Sequence, residues 1–384
     1  MKNAADSFRH SKMTAPRPIS QMMTVMIRDT ATPACRKLET KLTVSMPKNT
    51  VPVIRAQFLP ALFMKAIQIQ HTGGPETLLR VDLPERAPGV GEILIRHEAI
   101  GVNFIDTYQR EGLYPVALPA VLGSEAAGVV AAIGDGVTRF KAGDRVGYPN
   151  SLGAYAETAV VKADRAIPLP DSISARTAAS ILLKGMTAGF LTRMWPVGAG
   201  DTVLVHAAAG GVGGILTQWL KHLGCTVIAT VGSPEKAQIA KAHGCDHVIL
   251  YRDEDVAAMV REITNGAGVR VVYDSVGKDT FEASLKSLGK RGLFVSFGNA
   301  SGPVPPFEPL LLSRSGSLWF SRPTLFDYIA TTPELDAAAK ALFDVVASGA
   351  VKIELGREWP LSEARQAHEA LQARQTTGAN LLIP

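Results

Sequence analysis

The sequence predicts an α/β protein in two parts, a mainly β domain followed by a doubly wound parallel sheet. Three observations carry the prediction. From Met64 to about residue 170, short alternating segments sit between turn signals. After residue 185, apolar strand-like runs alternate with amphipathic helical ones. Where the patterns meet, the apolar run TVLVHA (202–207) leads at once into a glycine-rich turn and a helical stretch.

In the first region MKAIQIQ (64–70), EILIRHEAIGVN (92–103), AAGVVAAIG (126–134) and GDRVGYP (143–149) read as strands. Their apolar residues recur at the two-residue period of a sheet face, and glycine-containing turns punctuate them. In the second region, TVLVHA is followed by the helical run GGVGGILTQWLKHLG (210–224), strand TVIATV (226–231) and helix SPEKAQIAKAHG (233–244). Ser233 is placed to cap that helix, Pro234 suits its first turn and Gly244 its end. Strand DHVIL (246–250), helix DEDVAAMVREIT (253–264), strand VRVVYDSV (269–276), helix KDTFEASLKSLG (278–289) and strand GLFVSFG (292–298) continue the alternation. Strands joined through helices imply right-handed crossovers and a parallel sheet. The tail is mixed, with helices TPELDAAAKALFDVVASG (332–349) and LSEARQAHEALQAR (361–374) before a last short strand, NLLIP (380–384). No internal repeat is visible.

A chain of 384 residues is long enough for two domains with cores of their own. Hydrophobic content of 46% with 20% charged residues lies well outside the disordered range. Cys35, Cys225 and Cys245 have no CxxC spacing, which excludes a disulfide framework and a cysteine zinc site and points to a reducing cytoplasmic compartment. No run of about 18 apolar residues occurs, so no membrane span is expected. Residues 1–63 hold ten Lys/Arg against three Asp/Glu, so the net charge of +5 belongs to this leader and the remainder sums to −2. Nucleic acid is therefore not an expected partner. The leader is Ser/Thr-rich, without a sustained period, and is expected to be largely disordered. It reads as an organelle transit peptide or as sequence preceding a true start at Met64.

The turn Ala208-Ala209-Gly210-Gly211-Val212-Gly213 fits the dinucleotide fingerprint of a Rossmann unit, with alanine in the first glycine position. Gly210 and Gly211 let a pyrophosphate approach the backbone, whose unpaired N–H groups at the helix start attract it; Gly213 lets the helix pack close to the strand. Without a ligand the same pattern is only a tight βα turn, but four further βα units follow it. An NAD site places Asp or Glu at the end of the second strand. Here the residues are TVGSPEK (230–236), with Gly232, Ser233 and Lys236 but no acid at the strand end. A hydroxyl, helix-start amides and an ammonium attract a 2′-phosphate, so NADPH is the expected cofactor.

These residues resemble the quinone oxidoreductase, zeta-crystallin-like branch of the medium-chain dehydrogenase/reductase superfamily. HAAAGGVG carries the resemblance together with HTGGPE, AIGVNFIDTYQREGLYP, LGSEAAGVV, KAGDRVGY, GAYAE, LLKGMTA, VVYDSVG and the closing AHEAL, in order along 64–384. The resemblance implies a mainly β GroES-like catalytic domain over 64–185, a Rossmann NADPH-binding domain over 186–320, and a return to the catalytic domain over 321–384. It implies that Asn103, Phe104, Ile105, Asp106, Thr107 and Tyr108 form a loop lining the nicotinamide and substrate, with Tyr114 at the mouth. Gly211 and Val212 would take the pyrophosphate, and Gly232, Ser233, Lys236 and Tyr251 the adenosine end. Ser275, Phe297, Gly298, Asn299 and the loop after Arg322 would line the nicotinamide side. Arg374 would reach the cofactor from the tail. Phe190 stands where a tyrosine is often found. A homodimer is also implied, with GSLWF (316–320) as an edge strand.

Zinc alcohol dehydrogenases of the same superfamily carry Gly-His-Glu where this chain has Gly123-Ser124-Glu125, so no catalytic metal is expected. His71 and His97 read as surface or internally satisfied histidines. Reducing a simple ketone leaves an alkoxide that needs a Lewis acid or a placed acid. Reducing a quinone leaves a phenolate-like anion whose parent acid has a pKa of roughly 10, and needs far less help. Asn103, Tyr108 and Tyr114 are the candidate donors; Asp106 reads as orienting its segment, and Tyr114 reads equally as packing. Three readings stay open: an NADPH-dependent quinone reductase, an NADPH-dependent enone or alkenal reductase, and a nucleotide-binding protein with a structural or RNA-binding role.

Overall fold

The computed structural model describes residues 62–384 and, before them, the backbone of two short strands, Thr40–Leu42 and Ala56–Phe58, which pair antiparallel. The other leader residues, and with them the expectations of disorder and of a transit peptide, lie outside the described residues.

The mainly β region is organised by strand Glu92–Gly101, which buries Ile93, Ile95, Ala99 and Ile100 and leaves Arg96 and Glu98 in solvent. It pairs antiparallel with Ala126–Ile133, Thr158–Lys162 and Ala379–Ile383. The last of these comes from the far end of the chain and joins the sheet with Leu382 opposite Ile100. A three-stranded sheet of Leu79–Pro84, Phe63–Ile69 and Ala120–Val121 completes this region.

The second region is a six-stranded parallel sheet. Its strands are Thr202–His206, Thr226–Val231, His247–Leu250, Val269–Asp274, Leu288–Ser296 and Trp319–Ser321, in spatial order 3-2-1-4-5-6. The order reverses between Thr202–His206 and Val269–Asp274, and the crevice at their carboxyl ends is where such sheets take ligands. The helix starts follow the expected capping: Ser233 Oγ accepts from the Lys236 N–H at 3.4 Å at the start of helix Pro234–Ala242.

One local reading is corrected, and one element unassigned in the sequence is found. Ala175–Met194 is a 20-residue helix that spans position 185. Fourteen of its residues are buried, because it packs against both the sheet of the first region and helices Gly211–His222 and Thr332–Ala347. A helix covered on all sides shows no apolar stripe, and so no helical period. The segment 103–108, expected as a loop, is instead the N-cap and first turns of helix Phe104–Glu111.

Two buried histidines set an acid limit. His97 Nδ1–H donates to the Ala156 carbonyl (2.8 Å) and its Nε2 accepts from Tyr148 Oη (2.9 Å). His368 Nδ1 accepts from Arg110 Nη1 (3.2 Å), which leaves Nε2–H to donate to Tyr155 Oη (2.9 Å). Burial pulls His97 down to about 4; burial, then the Arg110 charge, pulls His368 down to about 3. Below pH 6.5 the unfolded chain takes up two protons that the folded chain refuses. The stability these two histidines contribute is therefore complete above pH 6.5 and falls as the pH drops toward 4, by about 1.4 kcal/mol per unit for each. Asp106, whose buried carboxyl is pushed up to about 7, acts in the opposite direction over the same range. Stability from urea unfolding, measured from pH 7 to 4.5, should lose about 1.4 kcal/mol per unit less in His97→Gln than in the wild type.

Candidate active site

A cleft of about 510 Å³ opens at the reversal point of the parallel sheet, between the glycine turn and helix Phe104–Glu111. Its middle is the turn after Thr202–His206. Gly210 is the N-cap of helix Gly211–His222, and the first-turn N–H groups have no intrahelical acceptor. A β-carbon on Gly213 would lie 2.3 Å from the Ala207 carbonyl oxygen, so only glycine allows this helix so close to the strand. A β-carbon on Gly211 would lie 2.8 Å from Lys184 Cδ. The bare backbone and exposed amides fit a diphosphate.

One end of the cleft gathers cations. Lys236 Nζ donates to the Arg374 carbonyl (2.7 Å), Arg374 Nη1 donates to Tyr251 Oη (3.2 Å), and Arg374 faces Asp279 at 3.7 Å. Burial, with the nearby charges of Arg252 and Arg374, pulls the Lys236 pKa below the usual lysine range. A group that resists its own charge in this way is relieved by a doubly charged anion. The residues fit a ribose phosphate.

The opposite end is aromatic. Tyr108 and Tyr114 meet edge to face with centroids 5.4 Å apart. Tyr108 Oη accepts from the Asn299 N–H (2.9 Å) and Tyr114 Oη accepts from Arg322 Nη2 (2.9 Å). Each phenol oxygen is thus already an acceptor, and each keeps its own hydrogen to donate. Burial pushes Tyr108 up to about 12, so that hydrogen stays in place at neutral pH. Phe190 lines the wall stacked on Tyr328, with centroids 4.4 Å apart.

Of the residues singled out in the sequence, Asn103, Phe104, Ile105, Tyr108, Tyr114, Phe190, Gly210, Gly211, Val212, Gly213, Gly232, Lys236, Tyr251, Ser275, Phe297, Gly298 and Arg374 line the cleft. Four do not. Asp106 is fully buried behind the helix and accepts from the Asn103 N–H (2.9 Å), Tyr155 Oη (2.9 Å) and Ser124 Oγ (3.3 Å); burial pushes its carboxyl up to about 7. Helix geometry turns position 106 away from the face carrying Phe104, Ile105 and Tyr108, so a carboxyl grouped with the catalytic candidates holds the segment from behind and does not face the cleft. Thr107 is buried likewise and donates to the Phe104 carbonyl. Ser233 is engaged as a helix cap, and Asn299 acts from behind through its N–H.

Two features went unread in the sequence. Glu125, fully buried, accepts from Asn103 Nδ2 (2.9 Å), Leu183 N–H (2.7 Å) and Lys184 Nζ (3.2 Å), tying the start of helix Phe104–Glu111 to helix Ala175–Met194. The signal was Gly123-Ser124-Glu125 itself, read only for its missing histidine. At the sheet reversal, Ser284 Oγ donates to Asp274 Oδ2 (2.8 Å), so its oxygen accepts from His206 Nε2–H (3.0 Å) and His206 Nδ1 accepts from Thr230 Oγ1 (2.9 Å). That network fastens the end of the first strand, just before the glycine turn. Among the described residues, no group of three His, Cys, Asp or Glu side chains is placed to hold a metal ion.

Comparison with known proteins gives the family. Residues 89–171 match the family model "Alcohol dehydrogenase GroES-like domain" and residues 211–344 match "Zinc-binding dehydrogenase". The chain is 50% identical over 323 residues to a quinone oxidoreductase of Pseudomonas aeruginosa, covering 83% of this chain and 99% of that one. It is 43% identical over 328 residues to a 2-haloacrylate reductase of a Burkholderia species, covering 83% of this chain and 98% of that one. A crystal structure of Escherichia coli quinone oxidoreductase complexed with NADPH superposes with a TM-score of 0.82 at 48% identity, over 83% of this chain and 100% of that one. The chain belongs to the quinone oxidoreductase family of the medium-chain dehydrogenase/reductase superfamily.

Proposed function

We propose that this protein reduces quinones with NADPH. One observation carries the reading: a single cleft holds a cationic phosphate cluster at one end and two phenol O–H donors at the other, with the glycine turn between them. NADPH, when bound, supplies the hydride. Lys236, Tyr251 and Arg374 hold the phosphate end, and the amides at Gly211 and Val212 take the diphosphate. Tyr108 and Tyr114 donate to the acceptor oxygens, where negative charge grows as the ring is reduced. Hydrogen bonds suffice there because the product anion resembles a phenolate, and the one proton that balances the hydride can come from water. Phe104, Phe190 and Phe297 give a flat acceptor an apolar seat.

Lys236→Ala should weaken NADPH ten- to a hundredfold and NADH less than threefold, since only the former loses a charge-assisted phosphate contact. Fluorescence titration of both nucleotides checks this, and equal losses would place the phosphate elsewhere. Turnover of 9,10-phenanthrenequinone against a 2-alkenal tests the acceptor. The second reading, reduction of an activated double bond, is favoured by the 43% identity to the 2-haloacrylate reductase. The same donors would serve its delocalised enolate.

Two further parts of the reading are a homodimer and a cytoplasmic location. Edge strand Trp319–Ser321, with Trp319 58% exposed, supports the first. Free, buried Cys225 and Cys245, whose thiols burial pushes up to about 11, accord with the second. No described helix is long and apolar enough to cross a membrane.

A further inference from the structure

We infer that Arg322 selects for acceptors carrying a negative charge, such as a sulfonated or carboxylated quinone, at the mouth of the cleft. The inference rests on the quinone-reductase reading and adds a substrate class to it.

The cleft's other cations are engaged. Lys184 pairs with buried Glu125 at 3.2 Å, Arg374 faces Asp279 at 3.7 Å, and Lys236 belongs to the phosphate end. Arg322 lines the same cleft but forms no ion pair among the described residues. The acids of the cleft wall, Glu254 and Asp279, lie with the nucleotide half: Glu254 accepts from the Leu250 N–H and Asp279 faces Arg374. Among the described residues that line the cleft, no acid lies at the acceptor end; Glu111, near enough to act on Tyr108, pairs with Arg110 at 2.6 Å.

The guanidinium is also held still. Nη1 donates to the carbonyls of Ser296 (2.8 Å) and Gly298 (3.2 Å), just past the fifth strand of the parallel sheet, and Nη2 donates to Tyr114 Oη (2.9 Å). With its amide oxygen facing the guanidinium, Asn299 accepts from Nη2 at 2.9 Å and donates to the Gly298 carbonyl at 2.9 Å. All these partners are neutral oxygens, so the unit positive charge is oriented but not cancelled. An anionic substituent beside Tyr114 meets a fixed cation and a phenol O–H together, a charge-assisted arrangement that discriminates strongly. The arginine sits at the solvent edge, so the preference should weaken as salt rises.

The test compares 1,4-naphthoquinone-2-sulfonate with 1,4-naphthoquinone in the full-length protein with NADPH. The ratio of their kcat/KM values should fall tenfold or more in Arg322→Gln, be largely kept in Arg322→Lys, and shrink in the wild type between 50 and 500 mM salt. Calorimetric binding of naphthalene-2-sulfonate and of neutral naphthalene-2-sulfonamide gives a readout without turnover; Arg322→Gln should weaken only the former. Equal loss on the charged and neutral compounds would reduce Arg322 to a support for Tyr114 and overturn the inference. So would a wild type that binds the sulfonate no better than the sulfonamide. Failure to reduce either quinone, with arginine-dependent sulfonate binding intact, would instead overturn the quinone-reductase reading.

Discussion

Gly211→Val should lower NADPH affinity by two orders of magnitude or more while the protein stays folded. Position 211 is the first residue of helix Gly211–His222, with backbone angles that valine adopts, and it lines the cleft. A β-carbon there meets the aliphatic part of Lys184, at 2.8 Å from Cδ and 3.1 Å from Cε, and the carbonyl of Gly378 at 3.5 Å. A long side chain can shift, so the cost to folding stays near the about 1–3 kcal/mol of a modest overpacking. The space at the helix start is lost regardless, and with it the approach of a diphosphate to the amides. Gly213→Ala should behave in the opposite way. Its β-carbon meets backbone, 2.3 Å from the Ala207 oxygen and 2.9 Å from Ala208 Cα, so the helix must lift off the strand. Nucleotide titration beside a melting curve separates the two variants. A Gly211→Val protein that melts as early as Gly213→Ala would mean that both glycines serve packing alone.

Glu125→Gln should destabilise the fold by about 3–5 kcal/mol, the usual cost of stranding a buried charge. The ammonium left behind is that of Lys184, 3.2 Å from the carboxylate and almost fully enclosed. Lys184→Met should cost less, because Glu125 keeps its bonds from Leu183 N–H at 2.7 Å and Asn103 Nδ2 at 2.9 Å. The double variant should recover part of the loss, and a urea double-mutant cycle measures the coupling. Strict additivity would show that the two groups do not act as a pair. Because Asn103 caps the helix bearing Tyr108, Glu125→Gln should also raise KM for the acceptor.

The readable parts of this site are those whose physics is local. The glycine turn, the Ser233 cap and the missing acid after the second strand each lie within a few residues of one another, and each constrains one stretch of backbone. All but four of the residues marked from sequence line the cleft, the exceptions being Asp106, Thr107, Ser233 and Asn299. The misread segment 103–108 shows the limit. A two-turn helix held by the Asn103–Asp106 bond looks like a loop when its apolar side is short, and only the packing of Tyr155 and Ser124 on Asp106 reveals which way position 106 faces. Helix Ala175–Met194 was hidden for the converse reason: it is covered from every side and carries no period to detect.

The amino-acid order alone determined the alternation of strands and helices, the place of the nucleotide turn and the sign of the charge at its far end, since all three depend on neighbours in the chain. Tertiary structure decided what meets across the cleft. It brought Asn299 to Tyr108, Arg322 to Tyr114, Arg374 to Tyr251 and Glu125 to Lys184, pairs separated by 191, 208, 123 and 59 residues. Such partners are chosen by which surfaces the folded layers press together, and no spacing along the chain encodes that.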